Sequence, residues 1–264
     1  MSKEREPPEL ERAITAKKAK KDPSDTREGL ILLARLAADG NRFEHMFRYM
    51  RRLIAIVAPD GPLTLHERKV FSSSCMILLE GQRETYRYVS KAAADAASVD
   101  PLRAEAATEY LELIASDIAK ICSDIVGIID ICFLPAGIGP VGSAATPEAR
   151  VFYKKMKGDF LKYMAEVKDG PERDKVAQDA FMAYSSAKED EEQLPATNPT
   201  RLELELSVAL FYFDIRCLPV AAYNVAKEAV DRAIQELEAA VQTASEETGV
   251  LLGRLQSYMD VWKV

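Results

Sequence analysis

The chain has 264 residues, 48% of them hydrophobic, and carries 35 Lys and Arg against 42 Asp and Glu, a net charge of −7. That apolar content is enough to bury the core of one or two folded domains, whereas the acidic balance excludes a general nucleic-acid binder, which is basic overall or along one face. No run of about 18 apolar residues occurs, so no segment reads as a membrane span.

Residues 1–26 stand apart, with Pro7-Pro8, a basic cluster at Lys17, Lys18, Lys20 and Lys21, and the polar break Asp22-Pro23-Ser24-Asp25. Such a composition predicts a mobile or loosely helical extension ahead of a domain spanning 27–264. Beyond it glycine is scarce, Ala, Leu, Glu and Lys dominate, and no two-residue alternation is sustained, so the chain reads as all-helical. Breakers at Asp39-Gly40, Pro59 to Pro62, Asp100-Pro101, Pro135 to Pro147, Asp169 to Pro171, Pro195 to Pro199, Leu218-Pro219 and Glu247 to Gly249 divide it into about nine helices. The longest, about Leu65 to Ala94 and Pro101 to Phe133, need long antiparallel partners to cover their apolar stripes. The most apolar stretch, Ile125 to Leu134, is interrupted by Asp130 and reads as a buried helix.

Further along, Thr146 followed by Pro147 supplies a hydroxyl N-cap and a proline at the first helical position. The helix it starts contains RVFYKKMKGDFLKYMAEV, Arg150 to Val167, which gathers Arg150, Lys154, Lys155, Lys157 and Lys162 within an acidic protein. Lys155, Asp159, Lys162 and Tyr163 share one face, and Val151, Phe152, Met156, Phe160 and Met164 form an apolar stripe that fixes them in place. Ammonium and phenol donors on one face point to an anion site; an ordinary solvated amphipathic helix is the competing reading. The acidic run Glu189 to Glu192 reads as a solvated helix end without chemistry.

Enzymatic signatures are missing. The only two histidines, His45 and His66, have no metal-ligand spacing, and the chain contains no phosphate-binding glycine loop, dinucleotide fingerprint or serine-hydrolase elbow. No cofactor, metal or catalytic residue is expected. Cys75, Cys122, Cys132 and Cys217 lie in apolar contexts without a C-x-x-C pair, which predicts reduced, buried thiols and a cytoplasmic protein.

In this order, RVFYKKMKGDFLKYMAEV, NPTRLELELSVALFYFDI and a terminal helix ending at Trp262 resemble the 14-3-3 family. ERKVFSSSCMILLEGQRETYR, from Glu67 to Arg87, is similar to its third helix, and LARLAADGNRFEHM to its first helix and the turn that follows. The resemblance covers about residues 30 to 262. It implies a concave cup of nine antiparallel helices that dimerises through its N-terminal helices and binds phosphoserine or phosphothreonine segments of client proteins without catalysis.

The same resemblance assigns site residues. Arg83, Lys162 and Tyr163 occupy three positions of the phosphate cradle, with Lys162 standing where the family has arginine and Met76 where it has lysine. Losing one bidentate fork and one ion pair weakens phosphate binding by about one to three orders of magnitude. This role requires that the three donors are not already neutralised by neighbouring carboxylates. In the peptide groove, Ser207 and Tyr258 replace two asparagines and Arg254 replaces a wall leucine. Lys155, Leu206, Leu210, Asp214, Leu251, Val261 and Trp262 keep the family's type. Arg254 either restores positive charge to the groove or simply faces solvent.

Leu36, Gly40, Arg42, Thr85, Val89, Tyr110 and Asp117 map to the family's dimer interface. Arg42 and Asp117 match one of its ion pairs, whereas His45 and Leu113 cannot form the other. The expected partners are phosphorylated client proteins and a second subunit, identical or a paralogue, with neither nucleic acid nor membrane. The alternative is a degenerate scaffold that binds nonphosphorylated partners or acts mainly through dimerisation. The sequence runs two residues beyond Trp262 without an acidic tail, so an uncapped groove is expected.

Overall fold

A short polar side chain, often followed by proline, starts most of the helices in this computed structural model, which describes residues 26–57, 61–135, 146–240 and 243–263. Among these residues there are nine α-helices and no strand: α1 (Arg27–Asp39), α2 (Phe43–Val57), α3 (Leu65–Ala96), α4 (Pro101–Cys132), α5 (Pro147–Glu166), α6 (Gly170–Glu191), α7 (Pro199–Asp214), α8 (Pro219–Ala240) and α9 (Glu246–Trp262). The side chains of Thr26, Thr64, Asp100, Thr146, Asn198 and Ser245 each accept a hydrogen bond from a first-turn amide, satisfying a donor that the helix itself leaves unpaired. The all-helical expectation and the bounds of the two longest helices therefore hold. The expected extension lies outside the described residues up to position 25, as does most of the Pro135 to Pro147 break.

The chain divides after Ser143 into two compact units. In the first, α1 to α4 pack in chain order, each against the next. One carboxylate does two jobs there. Glu67 accepts from the Thr64 amide at 2.7 Å while the Thr64 hydroxyl accepts from the Glu67 amide at 3.2 Å, a capping box that starts α3. The same carboxylate receives both forks of the Arg27 guanidinium at 2.6 Å, tying α1 to the start of α3. Burial would push Glu67 up, but Arg27 and the Thr64 donors hold its carboxyl below the usual range. Further into the unit, Phe71 and Phe133 meet at 5.8 Å, and Leu79, Ile118, Cys122, Ile125 and Ile129 are buried as well.

In the second unit α5 packs on α6 and α7, and α7 packs on α8 and α9. Leu202, Leu206 and Ala209 of α7, Ala222, Ala226 and Ala229 of α8, and Leu251, Leu255 and Trp262 of α9 form one buried cluster. The alanine face of α8 lets its backbone come close without displacing those leucines. Where α5 meets α6 a glycine leaves room for a ring. A Cβ on Gly158 would lie 2.5 Å from Tyr184 Cε1, so only glycine fits.

Two expectations fail. Asp190 and Glu191, inside the acidic run, are buried rather than solvated. Asp190 receives Arg150 at 2.7 Å and Lys154 at 2.8 Å, because the basic face of α5 lies against this end of α6. Among the cysteines, Cys75 and Cys122 are buried and Cys132 is partly so, but Cys217 is exposed in the turn after α7, at φ 54°. No disulfide joins the four.

Gly158→Ala is expected to destabilise the protein by about 1–3 kcal/mol, since overpacking the Tyr184 ring outweighs the gain in helix propensity. Gly253→Ala, in α9 with nothing within 4 Å of its Cβ position, is the control. It should stabilise by about 0.5–1 kcal/mol. Urea unfolding followed by circular dichroism measures both.

Candidate functional site

The basic face of α5 is built around a carboxylate. Asp159, one turn after Lys155, accepts from Lys155 Nζ at 3.0 Å through one oxygen and from the Tyr184 hydroxyl of α6 at 2.8 Å through the other. Glu203 of α7 adds a second anion 3.5 Å from the same ammonium. Burial alone would push the Lys155 ammonium down, but Asp159 and Glu203 hold it above its ordinary value. Burial and then Asp159 push the Tyr184 phenol well up, so it stays a hydrogen-bond donor. Lys155 is thus fixed and charged, but its charge is spoken for.

Two turns further on, Lys162 is only 4% exposed. Its ammonium stands 4.7 Å from the centre of the Tyr163 ring and 3.9 Å from Asp214 at the end of α7. Phe160 supports that ring edge-on at 5.9 Å. At 3.9 Å, and with Asp214 itself half exposed, this ion pair is loose; a dianion that reached Lys162 competes with it on favourable terms.

The residues assigned to the apolar wall lie on α7 and α9. Leu206, Leu251 and Trp262 are buried in the cluster described above, Leu210 and Tyr258 pack against it, and Ser207 is half-buried. Tyr258, Trp262 and Phe213 form a run of stacked rings at 5.2 and 5.4 Å. Tyr258 is therefore part of an aromatic ledge. Val261 is 73% exposed at its edge. A cleft of about 580 Å³ opens between the first halves of α7 and α9, lined by Glu203, Ser245, Glu246, Glu247, Val250, Leu251 and Arg254. Arg254 thus faces a cleft with three carboxylates, so the positive charge that the sequence left open for it is outnumbered there.

Arg83 and Met76 belong to α3 in the first unit. Met76 is half-buried, and Arg83 holds Glu80 at 2.9 Å, which Arg87 also contacts at 3.0 Å. Burial would push Glu80 up, but Arg87 and Arg83 keep its carboxyl below the usual range. Glu80 was not singled out by sequence, although its spacing of three residues from Arg83 signals such a pair. Glu203 was missed for a different reason, because its partner is on another helix.

Of the residues assigned to dimerisation, Leu36 is 57% exposed, Gly40, Arg42, Tyr110 and Asp117 are exposed, Thr85 is half-buried and its hydroxyl bonds the Gly81 carbonyl, and Val89 is buried. Leu32, Tyr88 and Leu113 add further exposed apolar surface on α1, α3 and α4. Among the described residues no group of three or more His, Cys, Asp or Glu is placed to hold a metal, and no helix is long and apolar enough to cross a membrane.

Residues 33–263 match the family described as 14-3-3 protein. The chain is 33% identical over 244 residues to 14-3-3-like protein A of Hordeum vulgare, covering 90% of this chain and 88% of that protein. It is 32% identical to 14-3-3-like protein GF14-F of Oryza sativa subsp. japonica over 244 residues, 90% of this chain and 89% of the other. Against 14-3-3 protein 4 of Solanum lycopersicum the identity is 32% over 239 residues, with 90% and 89% covered.

Removing the Asp159 carboxylate tests the α5 face directly. Asp159→Leu is expected to cost about 3–5 kcal/mol, because it leaves the Lys155 ammonium under-compensated and the buried Tyr184 hydroxyl without its acceptor. Tyr184→Phe, which breaks only one of the two contacts, should cost about 1–3 kcal/mol in the same urea titration.

Proposed function

The chain belongs to the 14-3-3 family, a family of non-catalytic phosphopeptide-binding scaffolds, and from that premise we propose that it binds phosphoserine or phosphothreonine segments of client proteins with reduced affinity. Lys162 and Tyr163 on α5 act as the ammonium and phenol donors, and the family pattern adds Arg83. The observation that carries this reading is Lys162, a buried cation whose carboxylate contact, to Asp214, is 3.9 Å long and whose other neighbour is the face of the Tyr163 ring at 4.7 Å, so that a stronger anion competes for it. A phosphate near −2 charge with three acceptor oxygens is such an anion. Leu210, Ser207 and the Tyr258 ledge accommodate the segment on either side.

Reduced affinity has two sources in this reading. Met76 removes one cation, and Glu80 competes with phosphate for Arg83 at 2.9 Å. The excess of carboxylates in the α7–α9 cleft further disfavours clients with acidic flanks. A second reading, a scaffold that binds nonphosphorylated partners, is favoured by the same Met76 and Glu80.

Calorimetry with a phosphorylated peptide and its unphosphorylated twin separates the two. Phosphate-dependent binding is expected in the natural chain, tightening about tenfold or more in Glu80→Gln and further in Met76→Lys with Lys162→Arg. Equal affinity for both peptides in the natural chain, with phosphate dependence only after repair, supports the second reading.

For assembly, we infer a dimer formed through the first unit, where Leu32, Leu36, Tyr110 and Leu113 leave apolar surface uncovered. Arg42 with Asp117 adds only about 0–1 kcal/mol at such a rim. Sedimentation near micromolar concentration should show a dimer, with Leu36→Asp shifting it to monomer; a monomeric natural chain refutes the inference.

A further inference from the structure

The buried end of α6 holds a charge arrangement that phosphate recognition does not use. Glu191 of α6 and Glu205 of α7, with side chains 3% and 4% exposed, both lean on the single ammonium of Lys188, at 3.0 and 2.6 Å. The other nearby cation is largely committed elsewhere. Arg201 sends one nitrogen to the carbonyl oxygens of Leu194 and Glu191, at 2.7 and 3.3 Å, and its other nitrogen stands 3.9 Å from Glu191 Oε1. That leaves the second oxygen of each carboxylate, Glu191 Oε2 and Glu205 Oε2, buried without a hydrogen-bond donor.

Two buried carboxylates that share one ammonium, each with an oxygen lacking a donor, are short of one hydrogen. A proton supplies it: the neutral acid donates its O–H across the pair, and the remaining anion is matched by Lys188. We propose that Glu191 and Glu205 form a one-proton site that fastens α6 to α7 and loosens when that proton is lost.

The surrounding groups fit this assignment. From α6, Lys188 is the shared cation, and Asp190 is turned away onto Arg150 and Lys154 of α5. From α7, Arg201 is the second cation, and Thr200 is hydrogen-bonded to Glu148 of α5 at 3.3 Å. From α8, Glu236 is engaged by the Ala196 amide and by the Thr197 hydroxyl at 3.0 Å. None of these groups offers a donor to Glu191 Oε2 or Glu205 Oε2. Burial first, and then Glu205, push the Glu191 carboxyl up to about 7, against the opposing pull of Lys188 and Arg201.

The sign of the pH effect follows from that direction. In the unfolded chain the Glu191 carboxyl releases its proton near its ordinary value of 4.5, whereas the folded chain keeps it until about 7. Stability from the site is therefore fullest at the acidic side of this interval and is lost as pH rises through about 7. Glu205 is followed directly by Leu206 and Ser207, so the proton site and the proposed groove wall sit on consecutive residues of one helix.

Glu191→Gln is the decisive variant. Its amide oxygen accepts from Lys188 as the acid does, and its amide nitrogen donates to Glu205 Oε2 without titrating. The melting temperature of the natural protein should fall by about 4 °C between pH 6 and 8, while that of Glu191→Gln stays level. Both proteins keep His45 and His66, so the histidines cancel in the comparison. With glutamate carboxyls labelled with carbon-13, one resonance of the natural protein should titrate near pH 7 and be lost in Glu191→Gln. Glu205→Gln provides the reciprocal variant, in which Glu191 should titrate at lower pH. Identical pH slopes in the natural protein and Glu191→Gln overturn the proposal, as does a natural protein in which every glutamate titrates below about pH 5.5.

Discussion

Asp159 is the constraint on which the basic face of the second unit depends. A lysine-rich helix in water presents mobile charges; here one carboxylate, held from below by the Tyr184 hydroxyl at 2.8 Å, fixes Lys155 from above at 3.0 Å. The contact exists only because residue 158 has no side chain, since a Cβ there would overlap the Tyr184 ring. A missing methyl group thus sets the α5–α6 distance, that distance lets a phenol reach the carboxylate, and the carboxylate fixes the charge. Lys162 lies two turns along the same helix, beside the Tyr163 ring at 4.7 Å and Asp214 at 3.9 Å.

The basic residues of α5 are matched locally, so a net charge of −7 for the whole chain says little about this helix. The five basic residues of α5 face carboxylates rather than bulk solvent in four cases the structure resolves: Arg150 and Lys154 on Asp190, Lys155 on Asp159 and Glu203, Lys162 near Asp214. An anion site made from such residues works by exchange. In the proposed reading an incoming phosphate displaces a carboxylate, and selectivity comes from the difference in charge and acceptor count between the two. The loosest native pair, at 3.9 Å, is the one where exchange costs least. The 2.9 Å pair of Arg83 and Glu80 is closer, so exchange there costs more.

Much of this was legible in the sequence because it is local. Helix starts follow from Thr-Pro, Asp-Pro and Asn-Pro pairs, and the α5 face follows from a spacing of four and seven residues. What was not legible depends on which helices meet. Glu189 to Glu192 looks like a solvated tail by composition, and only the approach of Arg150 and Lys154 from α5 shows why Asp190 is inside. Glu203 and Glu205, set two apart in the apolar run LELELSVALF, point to different faces of a helix, and nothing local names their partners. One of them reaches Lys155 and the other Lys188, on two different neighbours. Cys217, in an apolar context, was read as buried because sequence gives the company of a residue and not the direction of a turn.

The two glutamates of α7 separate two uses of buried charge. Glu203, partly open to the cleft, meets a cation that already has a stronger partner, so its contribution is electrostatic tone rather than attachment. Glu205, closed off with Glu191, is charge without enough donors, an arrangement that is destabilising by itself and persists only if a proton completes it or the fold gains elsewhere. Apolar residues of similar size hold helices together without this difficulty, as the α7–α8–α9 cluster does a few residues away. A carboxylate pair at the α6–α7 joint therefore gives the helix contact something that leucine cannot, a strength that depends on the acidity of the surroundings.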